Sequence, residues 1–316
     1  MAVAPLSFER IQLQLLDVGF PASGAVDYEL ALADYQVHAE RYRDWVKQGS
    51  HGEMRYLERG LDRRLNPTLV FPGLKSVIAV LLPYSAAPLG NDHVRYARYL
   101  RGKDYHLDMR ERLEQALGKF KLDVPGFDYK ICVDTSAVLE RAWAYLCGLG
   151  WIGKNTLLIH PQLGSYSFIG VVFTNQVFGL SPKILKDYCG HCTRCMTTCP
   201  TEALPKARYL ESRKCISYLT LEKRGPWEQS FDSKGFIAGC DLCQEVCPFN
   251  LKAAQKAVLP PDFEFEMDIE KLLNETETEY LARVRESALS RIKFADFKRN
   301  VNAIPNLPGT PRTPQG

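Results

Sequence analysis

Eight of the ten cysteines in this 316-residue chain fall between Cys189 and Cys247. The first run, C-G-H-C-T-R-C-M-T-T-C-P at Cys189 to Pro200, has the spacing C-x2-C-x2-C-x3-C-P. That spacing lets three thiolates hold three corners of a 4Fe-4S cube while the fourth cysteine reaches across to a second cube. The second run, C-D-L-C-Q-E-V-C-P at Cys240 to Pro248, is one cysteine short, and Cys215 is the natural replacement. Crossing the fourth cysteines predicts one cube on Cys189, Cys192, Cys195 and Cys247, and another on Cys199, Cys215, Cys240 and Cys243. Such a pair moves electrons one at a time.

Two other uses of cysteine compete with this one. Paired C-x2-C units also hold structural zinc, but zinc sites rarely take three cysteines at successive x2 spacings, and the prolines after Cys199 and Cys247 suit the cubes. Disulfides need an oxidising compartment, and the N-terminal MAVAPLSFER shows neither a basic segment leading into an apolar one nor a twin arginine. A reducing cytoplasm is expected. Cys132 and Cys147 stand outside the pattern, one in an apolar strand and one on a helix, and read as buried free thiols.

Hydrophobic residues make up 46% of the chain and charged residues 24%, enough for a real core in two domains. No apolar run reaches the ~18 residues of a membrane span. A net charge of +3 does not announce a nucleic-acid partner, although a local basic face is compatible with it. Neither a phosphate-loop pattern nor a dinucleotide glycine fingerprint occurs, which argues against an ATPase and a Rossmann-type NAD enzyme.

The elements that must position this chemistry alternate along the first half. Phe8, Ile11 and Leu15 share one helical face, a second helical pattern runs from Asp27 to Val46, and a third starts at Asp104. VIAVLL at Val77 to Leu82 reads as a strand covered on both faces, and further strands are expected at Tyr129 to Val133, near Leu157, and at Ser167 to Phe173. Strands between helices argue an α/β domain. In CVDTSAVLERAWAYLCGLGWIGKNT a strand runs out at Asp134 and a helix is expected within two residues. Asp134 is then either a helix cap or a strand-end carboxyl that burial keeps protonated for proton donation.

Five segments in order resemble the epoxyqueuosine reductases, cobalamin-dependent iron-sulfur enzymes that act on tRNA. They are RYARYLRGKDYH (Arg95 to His106), VDTSAVLERAWAYLCGLGWIGKNTLL (Val133 to Leu158), GSYSFIG (Gly164 to Gly170), RKCISYLT (Arg213 to Thr220) and GCDLCQEVCPFN (Gly239 to Asn250). The resemblance implies reduction of the epoxide of epoxyqueuosine, at the tRNA wobble position, to the alkene of queuosine, with two electrons and two protons consumed and water released. It implies two 4Fe-4S clusters and a cobalamin held base-off. Asp134 would be the proton donor, with Arg141 and His106 orienting substrate or tuning its carboxyl. Candidate cobalamin contacts are Arg64, Ala97, Arg98, Asp134, Leu158, Ile169, Ser217 and Asp241.

The division expected is an α/β cobalamin-binding catalytic domain over 1–180, a ferredoxin-like two-cluster domain over 181–256, a helical C-terminal segment over 257–304 and a disordered tail over 305–316. Lys223, Arg224 and a basic face from Arg283 to Arg299 are the candidate tRNA contacts. The resemblance further implies an external electron donor of flavodoxin or ferredoxin type, and a monomer that acts away from membranes. A corrinoid dehalogenase-like enzyme acting on a small molecule and a pure two-cluster electron carrier are the competing readings. The roughly 180 residues before the cysteines exceed what a carrier needs.

Overall fold

A strand that is apolar at every position, Val77 to Leu82, has to be covered twice, and it is. The computed structural model describes residues 6–253 and 265–304. Its central sheet holds β1 (Ala22–Asp27), β2 (Ser76–Pro83), β3 (Tyr129–Cys132) and β4 (Ser167–Thr174) in the order β1-β2-β4-β3. Val77, Ala79 and Leu81 point to one face, where they meet α2 (Tyr28–Lys47) and α4 (Glu140–Leu146) in a core around Trp143 and Tyr35. Ile78, Val80 and Leu82 point to the other face, onto α1 (Phe8–Asp17) and α3 (Tyr105–Asp123). The alternation is the period-two geometry of a strand.

The mixed α/β class is as expected, but every pairing in this sheet is antiparallel. The sequence also concealed β1, for whose ASGAVD no element is expected. Gly24 in β1 is required because a Cβ there would stand 2.1 Å from the Cys147 carbonyl oxygen. Cys132 and Cys147 are buried free thiols, as expected.

The expected division of the chain is crossed by a second sheet. The two-residue strand Arg95–Tyr96 leaves the catalytic half and pairs in parallel with β5 (Phe236–Ala238), between the two cysteine runs. Beneath it, Leu100, Ile237, Leu272, Tyr280 and Phe297 form a core shared by the cluster region and the C-terminal helices α5 (Ile269–Asn274), α6 (Glu277–Val284) and α7 (Phe294–Asn302). The buried Asn300 fastens α7 by donating from Nδ2 to the carbonyls of Thr220 at 2.7 Å and Ile237 at 2.9 Å. The C-terminal segment is therefore packed structure, and it carries a side chain into the site. The tail expected at 305–316 lies outside the described residues. Among the described residues no helix is long and apolar enough to cross a membrane.

Candidate functional site

The cysteines fall into the two predicted sets. The charges of Cys189, Cys192 and Cys247 bear on Cys195, whose thiol is raised by burial and by their repulsion. Cys240 is likewise raised by burial, with Cys215 and Cys199 beside it, and Cys243 neighbours Cys240 and Cys215. Cys195 bears on Cys243, so the two sets adjoin. Four mutually repelling, partly buried thiolates suit bound iron, which takes up their charge. No group of three His, Cys, Asp or Glu among the described residues is gathered tightly enough to hold a single ion. The thiolates of a cube each bind a different iron and stand farther apart than that. Trp151 Nε1 donates to Cys189 Sγ at 3.4 Å and the Ala203 amide to Cys199 Sγ at 3.3 Å, hydrogen bonds of the kind that tune a cluster's potential.

Beside the second set opens a cavity of about 870 Å³, near the upper end of the ~300–1,000 Å³ usual for ligand sites. Cys215 and Ser217 line one wall, with Arg64, Asp134, Glu140, Arg141 and Arg291 elsewhere around it. Leu57, Ala137, Val138, Leu139, Ile152 and Leu221 supply apolar surface. Gly60 keeps this space open, since a Cβ there would stand 2.2 Å from Arg64 Nη1 and 2.9 Å from Ala137 Cβ. The walls thus mix apolar surface with charged and polar groups. Of the predicted cobalamin contacts, Arg64, Asp134 and Ser217 reach the cavity. Ala97, Arg98, Leu158, Ile169 and Asp241 do not. Leu158 and Ile169 serve the first core. Ala97 lies in the shared core, and Arg98 is spent on the fully buried Asp241, which accepts from its backbone amide at 2.7 Å and from its Nη1 at 3.2 Å.

Asp134 does not cap a helix. α4 begins only at Glu140, after Leu139, which offers no side-chain cap. Asp134 instead sits in the left-handed region at φ 50°, in a tight turn closed by the Thr135 amide on the Val133 carbonyl. Asp tolerates that conformation better than most residues, and held strain of this kind gathers at functional sites. The Asp134 amide donates to Glu140 Oε1, and Asp134 Oδ2 lies 2.9 Å from His106 Nε2. His106, in the first turn of α3, meets Asp104 through Nδ1, and Asp104 also accepts from the His106 amide at 3.0 Å. Tyr105 stacks on Phe168 at 3.9 Å and on the His106 ring at 4.0 Å, holding the imidazole in place.

These contacts correct the expected protonation. Burial would raise the Asp134 carboxyl, but hydrogen bonding to His106 and the charges of His106, Arg291 and Arg141 outweigh it and hold it below the usual carboxylate range. Burial would lower the His106 imidazole, but Asp134 and Asp104 outweigh that and hold it above its ordinary value. The proton thus rests on His106 in this arrangement. The carboxyl that burial does keep protonated is Glu140, pushed up to about 8 with the Asp134 charge adding to the effect. Arg141 is anchored by donating from Nη1 to the Thr156 carbonyl at 2.7 Å.

Arg291 lies in the stretch expected as a basic face, but nothing in the sequence marked it as a wall of this cavity. It arrives from the short turn before α7, bonds Glu222 at 2.6 Å and reaches the cavity. Other cations near it are not free. Lys223 bonds Glu53, Arg224 bonds Asp296 at 3.2 Å, Arg283 bonds Glu275 through two nitrogens, and Arg299 caps the carbonyls of Leu219 and Lys223. Within the basic face expected from Arg283 to Arg299, Arg283, Arg291 and Arg299 are thus engaged internally.

Residues 64–135 match the family described as epoxyqueuosine reductase QueG, and residues 188–250 the one described as 4Fe-4S double cluster binding domain. An epoxyqueuosine reductase of Cyclobacterium marinum is 33% identical over 85% of this chain and 88% of its own length. The chain belongs to the epoxyqueuosine reductase family. A solved epoxyqueuosine reductase bound to an epoxyqueuosine-modified tRNA-Tyr stem loop superposes with a TM-score of 0.76 at 27% identity, covering 94% of this chain and 80% of that one. A Bacillus subtilis member, captured with its Asp134 catalytic loop swung out of the active site, superposes at 0.77 with 26% identity and the same coverage.

Proposed function

We propose that the cavity binds cobalamin base-off and that the chain there reduces the epoxide of epoxyqueuosine in tRNA to queuosine. One observation carries this reading: Cys215, a ligand in the second cysteine set, and Asp134, at the end of a proton-holding chain, line the same cavity. An electron source and a proton source meet there, which is what a reductive ring opening consumes. The cubes sit on Cys189, Cys192, Cys195 and Cys247, and on Cys199, Cys215, Cys240 and Cys243. The relative solved with a tRNA stem loop supports the substrate class.

Bound in the cavity, a corrinoid would supply a low-valent, nucleophilic metal for ring opening, with its electrons coming from the clusters. Arg64 and Ser217 would hold the cofactor, while the apolar residues exclude water. Asp134 relays to the opening epoxide oxygen the proton that rests on His106, taken up across their hydrogen bond, a general-acid role. Asp104 holds the imidazole's far nitrogen and so fixes which nitrogen faces Asp134. Loss of that oxygen as water needs a second proton, and Glu140, neutral near pH 7, holds one beside the same turn.

Titrating the reconstituted protein with cobalamin, followed by gel filtration and an absorption spectrum, tests the reading. Stoichiometric co-elution with a base-off spectrum is expected. A protein fraction without corrin bands would overturn it and leave an electron carrier.

A further inference from the structure

Of the eight cysteines in the two sets, Cys192 is the exposed one, whereas the second set borders the catalytic cavity through Cys215. Electrons therefore have an outer and an inner end. Cys189, Cys192, Cys195 and Cys247 surround a small cavity that is the space for the outer cluster, and Lys154, Arg194, Tyr188 and Phe249 line it with them. Two cations and no carboxylate stand in that lining, and the neighbouring Asp187 is taken up by the Cys189 amide and by Arg208. None of these residues lines the catalytic cavity, so a protein docked over the outer cluster leaves the substrate site free.

We infer that this face, centred on Cys192 and bordered by Lys154 and Arg194, is the docking surface for an acidic electron-transfer protein. The inference rests on the reading that the outer set holds a cluster. Lys154 is fixed for the purpose, donating from Nζ to the Gly190 carbonyl at 2.7 Å inside the cysteine loop. Tyr188 is 52% exposed, which gives the cations an aromatic companion on the same surface. Trp151 stands behind it, 5.0 Å from Tyr188 and 4.7 Å from Phe249. Aromatic and arginine side chains with charge complementarity are what small, transient redox interfaces use, since charge speeds encounter more than it tightens binding. In each encounter one electron passes. The donor is oxidised by one equivalent, the outer cluster is reduced by one, and no bond or proton changes place.

The test compares two reductants of opposite charge on the full reconstituted chain. Reduction of the clusters is followed by bleaching of their visible absorption, a readout that needs neither cobalamin nor epoxyqueuosine and so stands or falls separately from the proposed reaction. With a reduced, negatively charged flavodoxin, Arg194→Glu is expected to slow the second-order rate by about 10-fold or more at low salt. The unaltered protein's rate is expected to fall with added salt. With methyl viologen radical cation, both proteins are expected to react equally fast, or the variant faster. Should Arg194→Glu lose iron, Arg194→Gln carries the same comparison. An unchanged flavodoxin rate would overturn the inference. So would equal slowing by viologen, which would make the cations tuners of the cluster. Displacement of flavodoxin by an anticodon stem loop would overturn it in favour of an RNA surface.

Discussion

His106 Nε2 lies 2.9 Å from Asp134 Oδ2 while Asp104 engages the opposite ring nitrogen, so one imidazole is shared between two carboxylates. This arrangement places the site's proton on the histidine and its negative charge on Asp134.

The pH dependence follows with a definite sign. The His106 value is raised on folding, so its contribution to stability is full below the unfolded value of about 6.5 and is lost as pH rises through the folded one. The Asp134 value is depressed, so its contribution is present above about 3.9 and is lost as pH falls through the folded value. The pair is intact between these limits. Single-turnover reduction is expected to decline as pH rises through the His106 titration. His106→Gln should move that decline to lower pH, because the remaining acid would be Asp134. A profile identical to that of the unaltered chain would show that His106 does not supply the proton.

Arg291 is the C-terminal segment's contribution to the cavity. Its pair with Glu222 is partly exposed and adds little stability, so Arg291→Gln is expected to fold and to keep its iron. Without that charge the Asp134 carboxyl should titrate at higher pH, read from the pH dependence of its own carboxyl resonance. An unmoved titration would leave Arg291 a purely structural residue.

Cys215→Ala should leave the first set loaded and damage the second, lowering iron by up to half. Electron paramagnetic resonance of the reduced variant should show one cluster signal where the unaltered chain shows two interacting ones. Full iron would mean that another side chain, His191 foremost, completes the second cube.

The cluster sets were legible because thiolate ligation imposes fixed spacing on a short stretch of chain, and even the displaced Cys215 could be found by counting. The helices were legible because each shows its own period, and the strand at Val77 to Leu82 because it is an unbroken apolar run. β1 was not, since its Gly24 answers to a carbonyl 123 residues away in sequence. The antiparallel sheet was hidden for a similar reason, because alternation of element types does not state direction. Within the site, Asp134 could be singled out but its charge state could not, as that depends on His106 and Arg291 brought in from distant segments. Arg98 and Asp241 engage each other in a buried ion pair, which a motif alone does not distinguish from a cofactor contact.

The central claim is that Asp134 delivers the proton that opens the epoxide, and one substitution tests it most directly. Asp134→Asn keeps the size of the side chain and its place in the turn, so both clusters and cobalamin should load as before. Single-turnover reduction of epoxyqueuosine tRNA by the loaded variant is expected to slow by about 100-fold to 10,000-fold, the usual range for a general acid. Reduction at the unaltered rate would contradict the account and return Asp134 to a structural part in its turn.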